Sequence, residues 1–229
     1  MEIKKGKVLY NGTTKKVYPL MDNESEIILH FKDDLAEKNA KQSSVKNKGK
    51  VNAKMTSIIF KFLESYHIKT HFIKKLDESD ILVKKAEILP FKVVIWNISD
   101  SDFSKKYKIK KGDVLEYPVV EYYLKNKEIK YPMISPDFAC TFGYTSFEEM
   151  KQIDGLSRKI NAVLKSFLNR RKLSLCKLSL EFGRIQDKIV LVDEISCDSV
   201  ILYNLENGEE FFSGFSSLYE GYKVLDEKL

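Results

Sequence analysis

The chain has 229 residues, 43% hydrophobic and 31% charged, enough apolar material for one large domain or two small lobes sharing a cleft. Ten glycines and five prolines exclude a disordered or collagen-like chain, and no run approaches the roughly 18 apolar residues that a membrane helix needs. The net charge of +6 fits a nucleic acid, an anionic membrane or a small phosphorylated ligand, but the basic residues are interspersed with acidic and apolar ones and no nucleic-acid-binding pattern is present.

The start, Met1-Glu2-Ile3-Lys4-Lys5, leads into a polar turn and not an apolar signal core, so the chain reads as soluble and cytoplasmic, with no membrane or nucleic-acid partner. Lys7 to Tyr10 and Lys16 to Tyr18 read as strands about an Asn11-Gly12-Thr13-Thr14 turn, and Ile27 to Phe31 as a third strand. Met55, Ile58, Ile59, Phe62 and Leu63 recur at helical spacing. Thr70 to Ile73 and Ile81 to Lys85 return to strand character. Residues 86–90 read as a connector, because Pro90 cannot donate to a central ladder, and Val93 to Ile95 begin a new strand. Leu115 to Leu124 is strand-like. Ser146-Phe147-Glu148-Glu149 matches a capping box and opens a helix striped by Ile153, Leu156, Ile160, Val163, Leu164, Phe167 and Leu168. A terminal helix is expected over Phe215 to Leu229. The elements predict an α+β chain of two lobes, 1–88 and 89–229.

Cys140, Cys176 and Cys197 show no CxxC spacing and read as free thiols; His30, His67 and His71 show no metal-ligand spacing. The pattern that points to chemistry is Leu178 to Ile185 followed by Lys188 to Ile195, two strands about a polar turn. If Gln186-Asp187-Lys188 form the loop, Glu181 faces Asp193, and a Mg²⁺ between the two carboxylates removes a like-charge penalty. A solvated acidic pair, or a two-residue loop sending the carboxylates to opposite faces, accounts for the same residues. Gly12-Thr13-Thr14-Lys15 fits a glycine turn approaching a nucleotide phosphate, and equally a plain hairpin.

Leu9-Tyr10-Asn11-Gly12-Thr13-Thr14-Lys15-Lys16-Val17-Tyr18, Lys48-Gly49-Lys50-Val51-Asn52, Thr70-His71-Phe72-Ile73, Leu82-Val83-Lys84-Lys85-Ala86-Glu87-Ile88-Leu89-Pro90, Tyr131-Pro132-Met133-Ile134, Leu180-Glu181-Phe182-Gly183 and Asp193-Glu194-Ile195-Ser196 follow one another along the chain. In that order they resemble the SAICAR synthetases, the phosphoribosylaminoimidazole-succinocarboxamide synthases of purine synthesis. The resemblance implies a two-lobed α+β fold related to ATP-grasp and protein-kinase lobes, with the nucleotide in the interlobe cleft. It implies ATP and Mg²⁺, a carboxylate activated as an acyl phosphate, and attack by an amine, by default that of aspartate. Lys15 would touch the ATP phosphates and Val17 the adenine. The backbone around Lys85, Glu87 and Ile88 would form the adenine hinge, Lys125 would add a nucleotide contact, and Glu181 and Asp193 would hold the metal, with Lys15, Glu181 and Asp193 carrying catalysis.

Departures from the family pattern cluster at the acceptor pocket. Family arginines are replaced by Trp96 and Ile201 (the latter in Ser196-Cys197-Asp198-Ser199-Val200-Ile201), and a serine by Asp102. A lysine becomes Ser179, an aspartate Lys177, a glutamate Lys92 and an aspartate Tyr131; Thr13 replaces a turn lysine, and the C-terminal charged cluster is reduced to Gly208-Glu209-Glu210-Phe211-Phe212. Losing two arginines and gaining Asp102 is expected to make the pocket repel a phosphate monoester. The sequence thus favours an ATP-dependent ligase joining a small-molecule carboxylate, not the purine ribotide, to an amine. A divergent SAICAR synthetase and a non-catalytic nucleotide-binding paralogue are the alternatives. Assembly into a homo-oligomer stays open.

Overall fold

The computed structural model describes residues 4–35, 44–211 and 218–229. Strand β1 (Tyr10–Asn11) pairs antiparallel with β2 (Lys15–Pro19), and the turn is closed by the Gly12 amide donating to the Lys15 carbonyl at 2.8 Å. The ladder is shorter than the sequence suggested, starting only at Tyr10 opposite Val17. With β3 (Glu26–Phe31), the helix α1 (Lys48–Ser65), β4 (Phe72–Lys75) and β5 (Asp80–Lys84) this makes a five-stranded antiparallel sheet in the order β1-β2-β3-β5-β4, backed by one helix. Met55, Ile59, Phe60 and Leu63 form the fully buried stripe of α1. The approach of α1 to β3 is so close that a Cβ on Gly49 would lie 2.4 Å from the Phe31 carbonyl oxygen, so only glycine fits there.

The second sheet is built from β6 (Glu87–Ile98), β7 (Val114–Leu124), β8 (Met133–Ile134), β9 (Leu173–Ile185), β10 (Lys188–Val192) and β11 (Val200–Asn204). Its order is β10-β9-β6-β7-β8, and β11 pairs with β9 beyond the end of β10. The connector expected at 86–90 is instead the start of β6, which runs straight through Pro90. The ladder to β9 tolerates the proline because the register breaks between Ile88 and Lys92, where no amide donor is needed. The Pro90 carbonyl still accepts from the Lys125 amide at 2.7 Å.

Three helices accompany this sheet: α2 (Ser101–Tyr107), α3 (Pro136–Thr141) and α4 (Phe147–Asn169). The predicted capping box is present at Ser146 and Glu149. Ile153, Ile160, Leu164, Phe167 and Leu168 are buried and α4 packs on β9, β10 and β6. At this apolar period of i, i+3, i+4 the helix has one face for the sheet and one for water.

The chain divides into two compact units, Met1–Ala86 with Ile195–Asp198 and Phe215–Leu229, and Glu87–Glu194 with Ser199–Gly214. The division differs from the expected 1–88 and 89–229 because two later segments return to the first unit. Thr56 donates to the Ile195 carbonyl at 3.2 Å, Lys54 pairs with Asp226 at 2.8 Å, and the last helix, α5 (Leu218–Lys228), packs on α1. Met1 to Ile3, Phe212 and positions 215–217 of the expected terminal helix lie outside the described residues. Cys140, Cys176 and Cys197 are in no disulfide, and among the described residues no helix is long and apolar enough to cross a membrane.

Candidate active site

Alternation along β6 sends Lys92, Val94 and Trp96 to one face of the second sheet, while Phe91, Val93 and Ile95 are buried on the other. Register then fixes their neighbours. Across β7 stand Tyr123, Glu121 and Val119; across β9 stand Glu181, Ser179 and Lys177. Nine side-chain positions on three central strands thus share one face. Five of the residues expected around the acceptor pocket, Lys92, Trp96, Asp102, Tyr131 and Lys177, line one cavity of about 250 Å³ there, with Val94, Lys106 and Tyr123.

The cavity wall is organised by a residue that sequence reasoning missed. The buried carboxylate of Glu121 accepts from Trp96 Nε1 at 2.8 Å, Tyr123 OH at 2.6 Å, Lys106 Nζ at 2.9 Å and Tyr107 OH. Burial alone would push its pKa up, but these four donors outweigh it and hold it below the ordinary carboxylate value. Lys106 is correspondingly raised. The available signal was a single acid inside the otherwise apolar Val119-Val120-Glu121-Tyr122, since an acid is rarely buried without partners. Trp96 is anchored by this bond and faced by Lys177, whose ammonium lies 4.4 Å from the ring centre.

Two expected pocket residues are elsewhere. Ile201 packs against Ile98, Cys176 and Tyr203 and does not line the cavity. The Asp198 carboxylate is engaged within the first unit, accepting from the fully buried Lys48 and from Asn52 Nδ2 at 2.8 Å. The expectation that the pocket repels phosphate is also corrected: its lining carries three lysines against the single aspartate Asp102. Counting only the lost arginines overlooked the lysines that two strand positions had gained.

The hairpin of β9 and β10 has a two-residue turn, Gln186-Asp187, with φ of 49° and 59°, and not the three-residue loop. Both values are left-handed, as the tight turns favoured in hairpins require. Lys188 therefore pairs with Ile185, and Glu181 lies opposite Val192, not Asp193. Asp193 sits one residue beyond the ladder at φ 62°, where the chain turns away from the sheet. Glu181 accepts from Lys125.

In the first unit, Lys15 lies opposite Phe31 with its ammonium 5.8 Å from that ring, and Val17 lies opposite Leu29. The Lys85 amide donates to the Ser25 carbonyl at 2.8 Å, while Glu87 and Ile88 pair with Arg184 and Gly183. Arg184 ties the start of β6 to the capping box, donating to Glu87 at 2.8 Å and to both oxygens of Glu149 at 2.7 and 2.9 Å. These bonds lower the Glu149 pKa to about 2.

Among the described residues no three His, Cys, Asp or Glu side chains gather as a metal cage. Mg²⁺ does not need one, since one or two carboxylates complete its shell with water and phosphate oxygens. Glu181 and Asp193 are hard oxygen donors of the type Mg²⁺ takes, but the two-residue turn does not oppose them as the three-residue loop would have done.

Residues 8–213 match the family model described as SAICAR synthetase. A phosphoribosylaminoimidazole-succinocarboxamide synthase of Prosthecochloris aestuarii is 38% identical over 204 residues, 89% of this chain and 86% of that protein. One from Clostridium perfringens is 34% identical over 97% of both chains. The crystal structure of the synthase from Ehrlichia chaffeensis superposes with a TM-score of 0.92 at 33% identity, covering 97% of this chain and 98% of that one. A SAICAR synthetase in complex with ADP gives 0.89 at 33% identity over 96% of each. Matched over most of its length in both sequence and fold, the chain belongs to the SAICAR synthetase family.

Proposed function

We propose that this protein is an ATP-dependent carboxylate–amine ligase catalysing the SAICAR synthetase reaction of purine biosynthesis. The observation that carries the reading is the match along 97% of both chains to an enzyme named for that reaction, with an ADP complex among the similar structures. In this scheme a carboxylate oxygen of the acceptor attacks the terminal phosphorus of ATP, releasing ADP and leaving an acyl phosphate. The amine of aspartate then attacks the acyl carbon and expels phosphate.

Lys15 offsets charge on the nucleotide phosphates, and the backbone near Lys85 to Ile88 receives the adenine beside Val17. Lys125 contacts the nucleotide and also holds Glu181. Glu181 and Asp193 would hold Mg²⁺, which when bound supplies neutralisation of charge on the phosphate oxygens. The face formed by Lys92, Trp96, Lys177 and Ser179 orients the acceptor. Positioning and electrostatics provide most of the barrier reduction, so no strong base is assigned.

A second reading, an acceptor without the ribotide phosphate, draws on Trp96 and Ile201 standing where the resemblance expects arginine. The two relatives described above, both named for the purine enzyme, give it no support. One assay decides. Purified protein is given Mg-ATP, aspartate and the phosphoribosylaminoimidazole carboxylate, and ADP and the amide product are measured together. Stoichiometric formation of both supports the purine reaction. ADP release only with non-phosphorylated carboxylates supports the second reading, and ATP binding without ADP release under any condition refutes both.

A further inference from the structure

The cavity on the second sheet carries cations that its own acids do not neutralise. Lys92 and Lys177 rise from the same face, Lys92 opposite Glu181 and Lys177 opposite Trp96. Glu181, the acid nearest Lys92 by register, is paired with Lys125. Glu121 is occupied by Lys106 and three neutral donors. The cation–π contact of Lys177 with Trp96 leaves its charge in place. Among the described residues neither Lys92 nor Lys177 has an ion-pair partner, so two lysines remain against Asp102. Burial and then repulsion from Lys177 lower the Lys92 pKa, with Glu181 opposing and Lys125 adding to the shift. The two lysines stand four register positions apart but line one cavity, and an anion held in it would offset both charges. The volume of about 250 Å³ equals roughly eight waters at about 30 Å³ each, room for a single ring with one charged substituent. Val94, Tyr123 and Tyr131 offer apolar and ring surface beside the charges.

We propose that Lys92 and Lys177 form an anion-binding pair that receives the charged group of the acceptor, a phosphate monoester or a carboxylate, in place of arginines. That the bound anion belongs to the acceptor rests on the ligase reading; the anion site itself rests on the cavity alone.

Trp96 is the only tryptophan of the chain, so intrinsic emission reports on this cavity. The intact protein, without ATP, is titrated with ribose 5-phosphate, benzoate and the neutral isostere benzamide. At least one anion should change the emission saturably and bind about tenfold or more tightly than benzamide. Ribose 5-phosphate as the tighter anion identifies a phosphate source; benzoate as the tighter one identifies a carboxylate. Lys92→Gln and Lys177→Gln should each weaken the anion about tenfold while leaving benzamide unchanged, and Lys92→Arg should keep anion binding. Equal affinity for benzoate and benzamide with no response to ribose 5-phosphate overturns the proposal, as does wild-type anion binding in both glutamine variants. So does the absence of any anion effect. Calorimetric titration of ATP on the same samples reports separately on the ligase reading: loss of ATP binding with the anion response intact refutes that reading alone.

Discussion

Replacing Glu149 by glutamine removes the charge that joins the capping box of α4 to Arg184. In the wild type the carboxylate accepts from Arg184 Nε at 2.7 Å and NH2 at 2.9 Å, from Thr145 Oγ1 at 3.0 Å and from the Ser146 amide at 2.9 Å. A fall of its pKa from 4.5 to about 2 corresponds to a ceiling of roughly 3.4 kcal/mol at about 1.36 kcal/mol per unit. Its side chain is 22% exposed and that of Arg184 19%, so solvent screening brings the expected loss to about 2 kcal/mol. Glutamine can still cap Ser146 but cannot give Arg184 two anionic oxygens. Urea unfolding followed by Trp96 emission, which reports on the unit holding both partners, should show the midpoint of Glu149→Gln lower by about 1 M near pH 7. The folded pKa lies below the unfolded one, so this stability is present above about pH 4.5 and lost as pH falls toward 2. By about pH 3.5 roughly two fifths of the gap between variant and wild type should have closed. Equal midpoints near neutrality, or a gap unchanged at about pH 3.5, would show that the network is not stabilising.

Gly49→Ala forces a Cβ to 2.4 Å from the Phe31 carbonyl oxygen and should destabilise the first unit by about 3 kcal/mol, visible as a lower thermal midpoint; an unchanged midpoint contradicts the close approach. Glu181→Gln and Asp193→Asn should each reduce ADP formation at least about 100-fold with far-ultraviolet dichroism unchanged, and full turnover in both would remove the metal assignment. Glu121→Gln leaves at least one buried donor unpaired. It should cost about 2–3 kcal/mol and shift Trp96 emission, and an unaltered spectrum would argue against the carboxylate as the anchor of the indole.

Local signals carried much of the architecture into the sequence. The Ser146 capping box, the α4 stripe and the first hairpin follow from rules spanning a few residues, and each is present. Pro90 misled because its cost depends on whether a partner carbonyl waits opposite, which only the register break between Ile88 and Lys92 decides. The Glu181 and Asp193 pairing misled for a related reason. Ile189 to Val192 are all buried, so no alternation between apolar and polar residues fixes the register, and the turn alone sets it. Glu121 was invisible as a hub because its four donors come from positions 96, 106, 107 and 123, brought together by strand pairing and by α2. Lys92 and Lys177 were seen singly as departures. That both line one cavity, and with it the charge of that cavity, is settled only once β6 and β9 are aligned.

The Gln186-Asp187 turn lies at the far end of the hairpin from the carboxylates, yet its length governs them. Loss of one of its residues, if a two-residue turn re-formed from the remaining one and Lys188, would slide β10 by a step and bring Asp193 opposite Glu181. Because Ile189, Val190, Leu191 and Val192 are 3%, 5%, 0% and 0% exposed, apolar side chains would still fill both faces after the slip. The core would lose little, while the carboxylate geometry on which the proposed metal site depends would be rewritten. Such a deletion is a lesion that a melting curve would pass over and only a turnover assay would detect.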